Sequence, residues 1–103
     1  MDFEWDASKS ERNRITRDLP FGLAIELFDG RFIEQVDSRH DYGETRLSAV
    51  GMAGSLILVC VYTGRGPVRR IISLRRALRR ERNAYHASEA WHASEAGHAS
   101  ERR

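Results

Sequence analysis

The sequence predicts an α+β domain in which helices pack on a small antiparallel β-sheet. The segment "FGLAIELF" has the apolar spacing of a core-facing helix, whereas "SLILVCVY" is a strand-sized apolar run rich in β-branched residues. Short glycine-containing segments, "MAGS" and "TGRGP", separate consecutive strand-like stretches, which favours antiparallel pairing. With 103 residues the chain is long enough for one domain with one core.

The N-terminal quarter predicts a strand and two helices. "DFEWD" (2–6) alternates as a short strand does, and Asp6 can cap a helix through "ASKSERNRIT" (7–16). On that helix Lys9, Asn13 and Arg17 lie near one line, at steps of four. Pro20 suits the first turn of a second helix, which "DG" at 29–30 ends. Its predicted core stripe consists of Phe21, Ala24, Ile25 and Phe28.

Strands follow in the middle of the chain. A first, weak one is predicted at 31–36 and three stronger ones at 44–51, 56–62 and 68–73, with 56–62 central in the sheet.

An arginine-rich helix is predicted next, with Ser73 as its N-cap. Arg75 and Arg76 would then lie in the first turn, where each cation opposes the helix dipole by about 0.3–1 kcal/mol. A helix N-terminus surrounded by guanidinium groups is a good phosphate site. Helical projection places one face apolar and one basic, and Glu81 falls in the apolar stripe, so we expect it to pair with an arginine. The apolar face comprises Leu74, Ala77, Leu78 and Tyr85, and the basic face Arg75, Arg76, Arg79, Arg80 and Arg82.

Residues 86–103 differ from the domain predicted over residues 1–85. "HASEAW", "HASEAG" and "HASERR" repeat with a period of six, so His86, His92 and His98 would point in three directions on a helix and cannot share a metal ion. The repeat indicates a low-complexity extension, either helical or disordered.

Charge is distributed unevenly along the chain, although the net charge is only +2. Residues 1–44 carry eleven acidic side chains against six basic ones, whereas residues 61–85 carry eight arginines against Glu81 alone. Such a block indicates a polyanionic partner, and guanidinium groups in particular favour nucleic acid. The alternative is a solvated helix face without a ligand.

Several classes of protein are disfavoured. The acidic start "MDFEWD" is not a signal peptide, no apolar run is long enough to span a membrane, and Cys60 is alone in an apolar strand. We therefore expect a cytoplasmic protein without disulfides. Because no P-loop, zinc pattern, metal cluster or serine triad occurs, neither a metal nor a cofactor is expected.

If the ligand is RNA, attack by the 2′-hydroxyl needs a proton acceptor, cations around the phosphorane and an acid for the leaving oxygen. His40 lies in a polar loop, "DSRHDYG", so the residues indicate arginines or a lysine with a carboxylate or tyrosine rather than a histidine pair. The catalytic candidates are Lys9, Glu44, Arg46, Arg65, Arg75 and Tyr85. Three of them also have a structural interpretation, since Arg65 can be an ordinary hairpin residue and Glu44 and Arg46 can pair with each other. Trp5, near the end of the first strand, can likewise belong to the core.

The motifs together resemble the BrnT family of ribonuclease toxins from bacterial type II toxin–antitoxin systems. They are "FEWD" (3–6), Lys9, Asn13, Phe21, Ala24, Glu44, Arg46, "YTGRG" (62–66), "RIIS" (70–73), Arg75 and "RRERNAY" (79–85). The resemblance implies a RelE-like fold, metal-independent RNA cleavage that inhibits translation, and a ribbon–helix–helix antitoxin whose complex with the toxin binds operator DNA. It implies functional roles for the six candidates above and for Arg70, with Trp5 beside them. We expect RNA binding by Trp5 and Arg70 and, on the basic helix face, by Arg76, Arg79 and Arg80.

Two departures separate this chain from the family pattern. Thr16, Arg17 and Asp18 stand where Lys-His-Gly is usual, and Gly64 stands where glutamate is frequent. They leave a second hypothesis open, that of a catalytically impaired protein that binds an antitoxin or nucleic acid without cleaving RNA.

Overall fold

The computed structural model describes residues 2–37 and 43–88, and its fold is α+β, as predicted. His40 and most of the repeat tail lie outside the described residues. In chain order the elements are β1 (Asp2–Glu4), α1 (Ala7–Arg17), α2 (Leu23–Asp29), β2 (Phe32–Asp37), β3 (Arg46–Ala53), β4 (Leu56–Arg65), β5 (Val68–Arg76) and, over described residues 79–88, α3. None of the helices described is long and apolar enough to cross a membrane.

The five strands form one sheet in the order β1-β5-β4-β3-β2, with β4 in the centre as predicted. Strands β2 to β5 form an antiparallel meander. Two-residue loops join β3 to β4 and β4 to β5, since Ala53 pairs with Leu56 and Arg65 with Val68. Gly54 and Gly66 occupy these loops with φ values of 60° and 62°, which glycine adopts without steric cost.

Strand β1 pairs with β5 in parallel, which the sequence did not indicate. Asp2, Phe3 and Glu4 lie opposite Val68, Arg69 and Arg70. Residues 2–4 therefore lie beside the start of the last strand, and their acidic side chains belong to the strand next to the arginine-rich segment.

Helix α1 begins where predicted, because the carboxylate of Asp6 accepts a hydrogen bond from the backbone N–H of Lys9 at 3.1 Å. None of its residues is buried, so polar contacts attach it to the domain. The Nδ2 of Asn13 donates to the carbonyl oxygens of Leu19 and Leu74, at 2.6 and 3.0 Å, and Arg17 donates to the same Leu74 oxygen. These contacts cover part of the edge of β5 that β1 leaves unpaired.

Helix α2 packs on one face of the sheet and carries much of the core. Phe21, Ala24 and Phe28 are buried as predicted, but Ile25 is exposed and Leu27 occupies the buried position instead. Only one position of the predicted stripe is wrong: the buried side chains of the helix, Ala24, Leu27 and Phe28, are spaced i, i+3 and i+4, which leaves Ile25 on its exposed side.

The prediction of a helix that starts after Ser73 is wrong. Strand β5 continues through Arg76, with Ser73 opposite Val61 and Leu74 opposite Cys60. Leu74 is fully buried, so the pairing buries an apolar side chain and satisfies its backbone, which outweighs the local helix signal. Helix α3 begins at residue 79, and Glu81 rather than Ser73 caps it: its Oε1 accepts from the backbone N–H of Leu78 at 2.7 Å.

Candidate functional site

The two faces of the sheet have different surroundings. Leu58, Cys60 and Tyr62 of β4 point into the core beneath α2, so Val59, Val61 and Thr63 between them belong to the opposite face. We call this opposite face the open face. Helix α3 covers one end of it, because Arg80, Glu81 and Ala84 share a cavity with Ile33, Ser48 and Val50.

Five charged side chains lie together at the other end of the open face, and we call them the strand-end cluster: Glu4, Glu44, Arg46, Arg65 and Arg70. They come from the end of β1, the loop before β3, the start of β3, the end of β4 and the start of β5. The sheet brings them together, since Glu4 lies opposite Arg70 and Arg70 opposite Thr63.

Arg65 lies between the two carboxylates. Its Nη1 is 3.9 Å from Glu4 Oε1 and its Nη2 is 3.9 Å from Glu44 Oε2. Arg70 Nη1 is 3.6 Å from Glu4, and Arg46 Nε is 3.9 Å from Glu44. These separations exceed a direct hydrogen bond, and the Arg65 side chain is 54% exposed. A phosphate can therefore replace a carboxylate beside Arg65 at little cost.

Arg75 is held differently. Its Nη1 and Nη2 donate to Oε1 and Oε2 of Glu81, both at 2.8 Å, which confirms the predicted pairing of Glu81 with an arginine. Hydrogen bonds from Arg75, assisted by the N–H of Leu78, lower the pKa of Glu81 to about 2. This bidentate pair ties β5 to the first turn of α3.

Tyr85 is buried at 4% exposure, and its side chain contacts Arg31 and His86. Its hydroxyl donates to the Arg31 carbonyl oxygen at 3.0 Å, and the Arg31 guanidinium lies 3.9 Å from the centre of its ring. Tyr85 thus holds α3 against the start of β2. The structure does not bring it into the strand-end cluster.

The remaining candidates lie around the open face or beyond it. Lys9 is on α1, next to Asp6, whose pKa lies below its ordinary value chiefly because of the Lys9 backbone N–H. Trp5 is partly buried and packs against the core. Arg80 lines a polar cavity on the open face with Arg75 and Ser73, whereas Arg76 and Arg79 are exposed.

Two acidic residues of this face were missed by the sequence analysis. Glu4 joins the cluster only because β1 pairs with β5, and no local pattern indicates that pairing. Asp37 is 9% exposed and lies opposite Arg46 at the end of β2. The alternation of β2 could have indicated its direction, but not its cross-strand neighbour.

Other chemistry has little support in the part of the chain that the structure describes. Burial raises the pKa of the Cys60 thiol to about 12, so it behaves as a core residue. No group of three or more histidine, cysteine, aspartate or glutamate side chains within residues 2–37 and 43–88 could hold a metal ion.

Comparison with known families gives a match over most of the chain. The model of a family described as "ribonuclease toxin, BrnT, of type II toxin-antitoxin system" matches residues 5–81. The chain belongs to the BrnT family. BrnT proteins are ribonuclease toxins, so the family implies an RNA target and an antitoxin partner. No curated protein sequence gives a significant match.

The structure locates the departures from the BrnT pattern. Asp18 has φ 58° and ψ 32°, the left-handed conformation for which glycine is favoured, so aspartate keeps the turn between α1 and α2. Gly64 lies opposite Arg69, and open space surrounds the position of a Cβ there. Because Thr63 and Arg65 belong to the open face, a glutamate at position 64 would point to the opposite face, away from the strand-end cluster.

Proposed function

We propose that this BrnT protein is an endoribonuclease that cleaves RNA on its open face, at the strand-end cluster. The observation that carries the proposal is the placement of Arg65 between Glu4 and Glu44, with Arg46 and Arg70 on either side. Cations and carboxylates that are close but loosely paired suit a reaction in which negative charge grows on a phosphate.

Arg65, Arg46 and Arg70 bind the scissile phosphate in this proposal. Guanidinium groups bind phosphate oxygens in a bidentate manner, and three of them can neutralise a dianionic phosphorane. The bound phosphate would displace the carboxylates from their positions 3.6–3.9 Å from the arginines. Arg80 and Trp5 would contact the flanking nucleotides.

Glu44 or Glu4 accepts the proton of the 2′-hydroxyl. The 2′-oxygen then attacks phosphorus, the bond from phosphorus to the 5′-oxygen breaks, and the leaving oxygen takes a proton from solvent or from Lys9. The products are a 2′,3′-cyclic phosphate and a 5′-hydroxyl. The chain's own arginines supply the charge stabilisation, so the proposed reaction is independent of metal ions.

Two further candidates take positioning roles. Arg75 and Tyr85 hold α3 through Glu81 and Arg31, and α3 closes one end of the open face. Truncating either is expected to lower activity through the position of α3.

The proposal also covers the location of the protein, its antitoxin and its two segments. We propose a cytoplasmic toxin that inhibits translation by cleaving RNA and that a ribbon–helix–helix antitoxin neutralises, with operator DNA bound only by the complex. Residues 1–85 form the toxin domain, and residues 86–103 are an extension without a role in cleavage.

A second candidate function is that of a binder without catalysis. It is favoured because two of the six predicted catalytic residues already have partners within the protein. Arg75 binds the Glu81 carboxylate, and Tyr85 donates to the Arg31 carbonyl oxygen. In that case the open face binds RNA or an acidic antitoxin segment and leaves the phosphodiester intact.

The test is cleavage of a long end-labelled RNA by the purified protein in EDTA. The proposal predicts fragments that end in a 2′,3′-cyclic phosphate, and no cleavage of the same sequence with 2′-O-methyl groups. Intact RNA with a folded protein would favour the binder, and fragments that need a divalent metal would contradict the proposed chemistry.

A further inference from the structure

A second basic surface lies around the edge of the sheet from the open face. Helix α1 and β5 form a groove there, which we call the α1 groove. It is lined by Lys9, Arg12, Asn13, Thr16, Arg17, Phe21, Ile72 and Ser73.

All of the charged side chains that line the α1 groove are cations: Lys9, Arg12 and Arg17. The acidic residues of α1 and its caps are engaged elsewhere. Glu11 pairs with Arg14, and Asp6 caps the helix at the N–H of Lys9. Within the described residues no carboxylate forms an ion pair with the three cations. The open face differs, because its arginines have acidic neighbours.

Part of the groove is held rigid. Arg17 and Asn13 both donate to the carbonyl oxygen of Leu74, which fixes them against β5. Arg17 keeps its remaining N–H groups for a ligand. The Nδ2 of Asn13 already donates to two carbonyl oxygens and the Thr16 hydroxyl donates to that of Arg12, so the cations supply the donors of the groove. Fixed donors lose less conformational entropy on binding than free side chains do.

The α1 groove is continuous with the open face. Ser73 lines the groove and also lines the polar cavity that contains Arg75 and Arg80. A strand of RNA that crosses the open face can therefore pass over the edge of β5 at Ser73 and enter the groove.

We infer that the α1 groove binds the backbone of single-stranded RNA beside the scissile phosphate, with Arg12 and Arg17 as its phosphate ligands. The inference rests on the proposed function for the place of the scissile phosphate. Lys9 lies at the end of α1 nearer the strand-end cluster, and Arg12 and Arg17 extend the binding surface along the helix. Phe21 and Ile72 supply apolar surface for a ribose.

The experiment compares Arg12→Glu with Arg14→Glu. Both arginines are exposed on α1, and the two variants change the charge equally, but only Arg12 lines the groove. The probe is a fluorescent 2′-O-methyl RNA, which the protein binds without cleaving, at lengths of about 12 and about 4 nucleotides. Binding is measured by anisotropy over a range of salt concentrations.

We expect Arg12→Glu to raise the Kd of the longer RNA about tenfold and to reduce the salt slope by about 0.7 for each lost phosphate contact. The Kd of the shorter RNA should change less than about twofold, since it occupies only the open face. Arg14→Glu should leave both Kd values near those of the parent. The inference is overturned if the two variants lose the same affinity for the longer RNA, or if Arg12→Glu loses none.

The result separates the inference from the proposed reaction, because it does not require cleavage. A length-dependent loss in Arg12→Glu with an inactive parent supports the groove and contradicts the chemistry. An active parent whose RNA affinity does not depend on Arg12 supports the chemistry and overturns the groove, which would then be free for an acidic segment of the antitoxin.

Discussion

At the scale of single residues, Asp18 shows how the chain keeps a turn that glycine favours. Its backbone N–H donates to the Arg14 carbonyl oxygen at 2.9 Å, and the N–H of Leu19 donates to that of Asn13 at 3.3 Å, so the C-terminus of α1 is satisfied. Aspartate tolerates the left-handed conformation better than most residues but still at a cost in free energy. The departure at position 18 is therefore a loss of stability rather than a change of fold.

We predict that Asp18→Gly stabilises the protein by about 0.5–1 kcal/mol, because glycine adopts this conformation without steric cost. Thermal or urea unfolding followed by circular dichroism measures the change. Asp18→Ala is the control and should lower the melting temperature. A less stable glycine variant would show that the carboxylate itself supports the turn.

Glu81 makes stability depend on pH. Its pKa is about 2 in the folded protein against an ordinary value of 4.5. Because folding lowers this pKa, the ionised Glu81 side chain stabilises the fold fully at pH values above about 4.5, the pKa in the unfolded chain. This contribution disappears as the pH falls from about 4.5 to about 2.

Glu81→Gln is accordingly predicted to lower the free energy of unfolding at pH 7 by about 1–2 kcal/mol, since it removes one charge of a bidentate pair. The difference from the parent should shrink as the pH falls below about 4.5. Glu11→Gln removes an exposed ion pair on α1 and should have a smaller effect. A constant difference from pH 7 to pH 2 would contradict the role of the Glu81 charge.

At the scale of elements, local sequence signals predicted α1 and the two short hairpins. They did not predict structure that depends on pairing between strands distant in sequence. Asp6 and the glycines of the loops determine nearby backbone, so the sequence alone locates α1 and the β3–β4 and β4–β5 turns. The end of β5 depends on Cys60 and Val59 of β4, which pair with Leu74 and Arg75. The parallel pairing of β1 is equally non-local.

The strand-end cluster was only partly predictable for the same reason. Glu44, Arg46 and Arg65 carry a recognisable spacing, and the structure brings them together. Glu4 enters through the β1–β5 pairing, which the sequence does not signal. Tyr85 is a predicted catalytic residue whose ring and hydroxyl instead contact Arg31.

For the β4–β5 hairpin we predict that Gly64→Glu stabilises the fold by about 0.5–1 kcal/mol, through a cross-strand pair with Arg69 and the loss of a strand glycine. The rate of RNA cleavage should stay that of the parent, because position 64 faces away from the strand-end cluster. Melting temperature and cleavage are measured together, with Gly64→Gln as the uncharged control. A large gain in cleavage would place the reaction on the other face of the sheet.

At the scale of the whole molecule, the uneven charge of the sequence is largely balanced by the fold. Acidic residues of the N-terminal half meet arginines of later strands: Glu4 lies beside Arg65 and Arg70, and Asp37 lies opposite Arg46. Other arginines serve packing, since Arg69 lies 4.2 Å from the centre of the Phe28 ring. The arginine-rich segment is thus part structural and part available to phosphate.

Because some arginines are structural and others are available to phosphate, the choice of variant decides what a loss of activity means. Arg75→Ala would break the bidentate pair with Glu81 and disturb α3, so a loss of activity would have two explanations. Arg65 is exposed, at the end of β4, and its ion pairs are long. Its removal leaves the fold intact and takes away a cation next to both carboxylates.

The most direct measurement is therefore the RNA cleavage rate of Arg65→Ala beside that of Arg14→Ala, an exposed arginine of α1 that belongs neither to the strand-end cluster nor to the lining of the α1 groove. We predict that Arg65→Ala lowers the rate by about 100-fold or more, as loss of a transition-state donor does, with an unchanged melting temperature. Arg14→Ala should cleave nearly as fast as the parent. Equal rates for Arg65→Ala and the parent would contradict catalysis at the strand-end cluster.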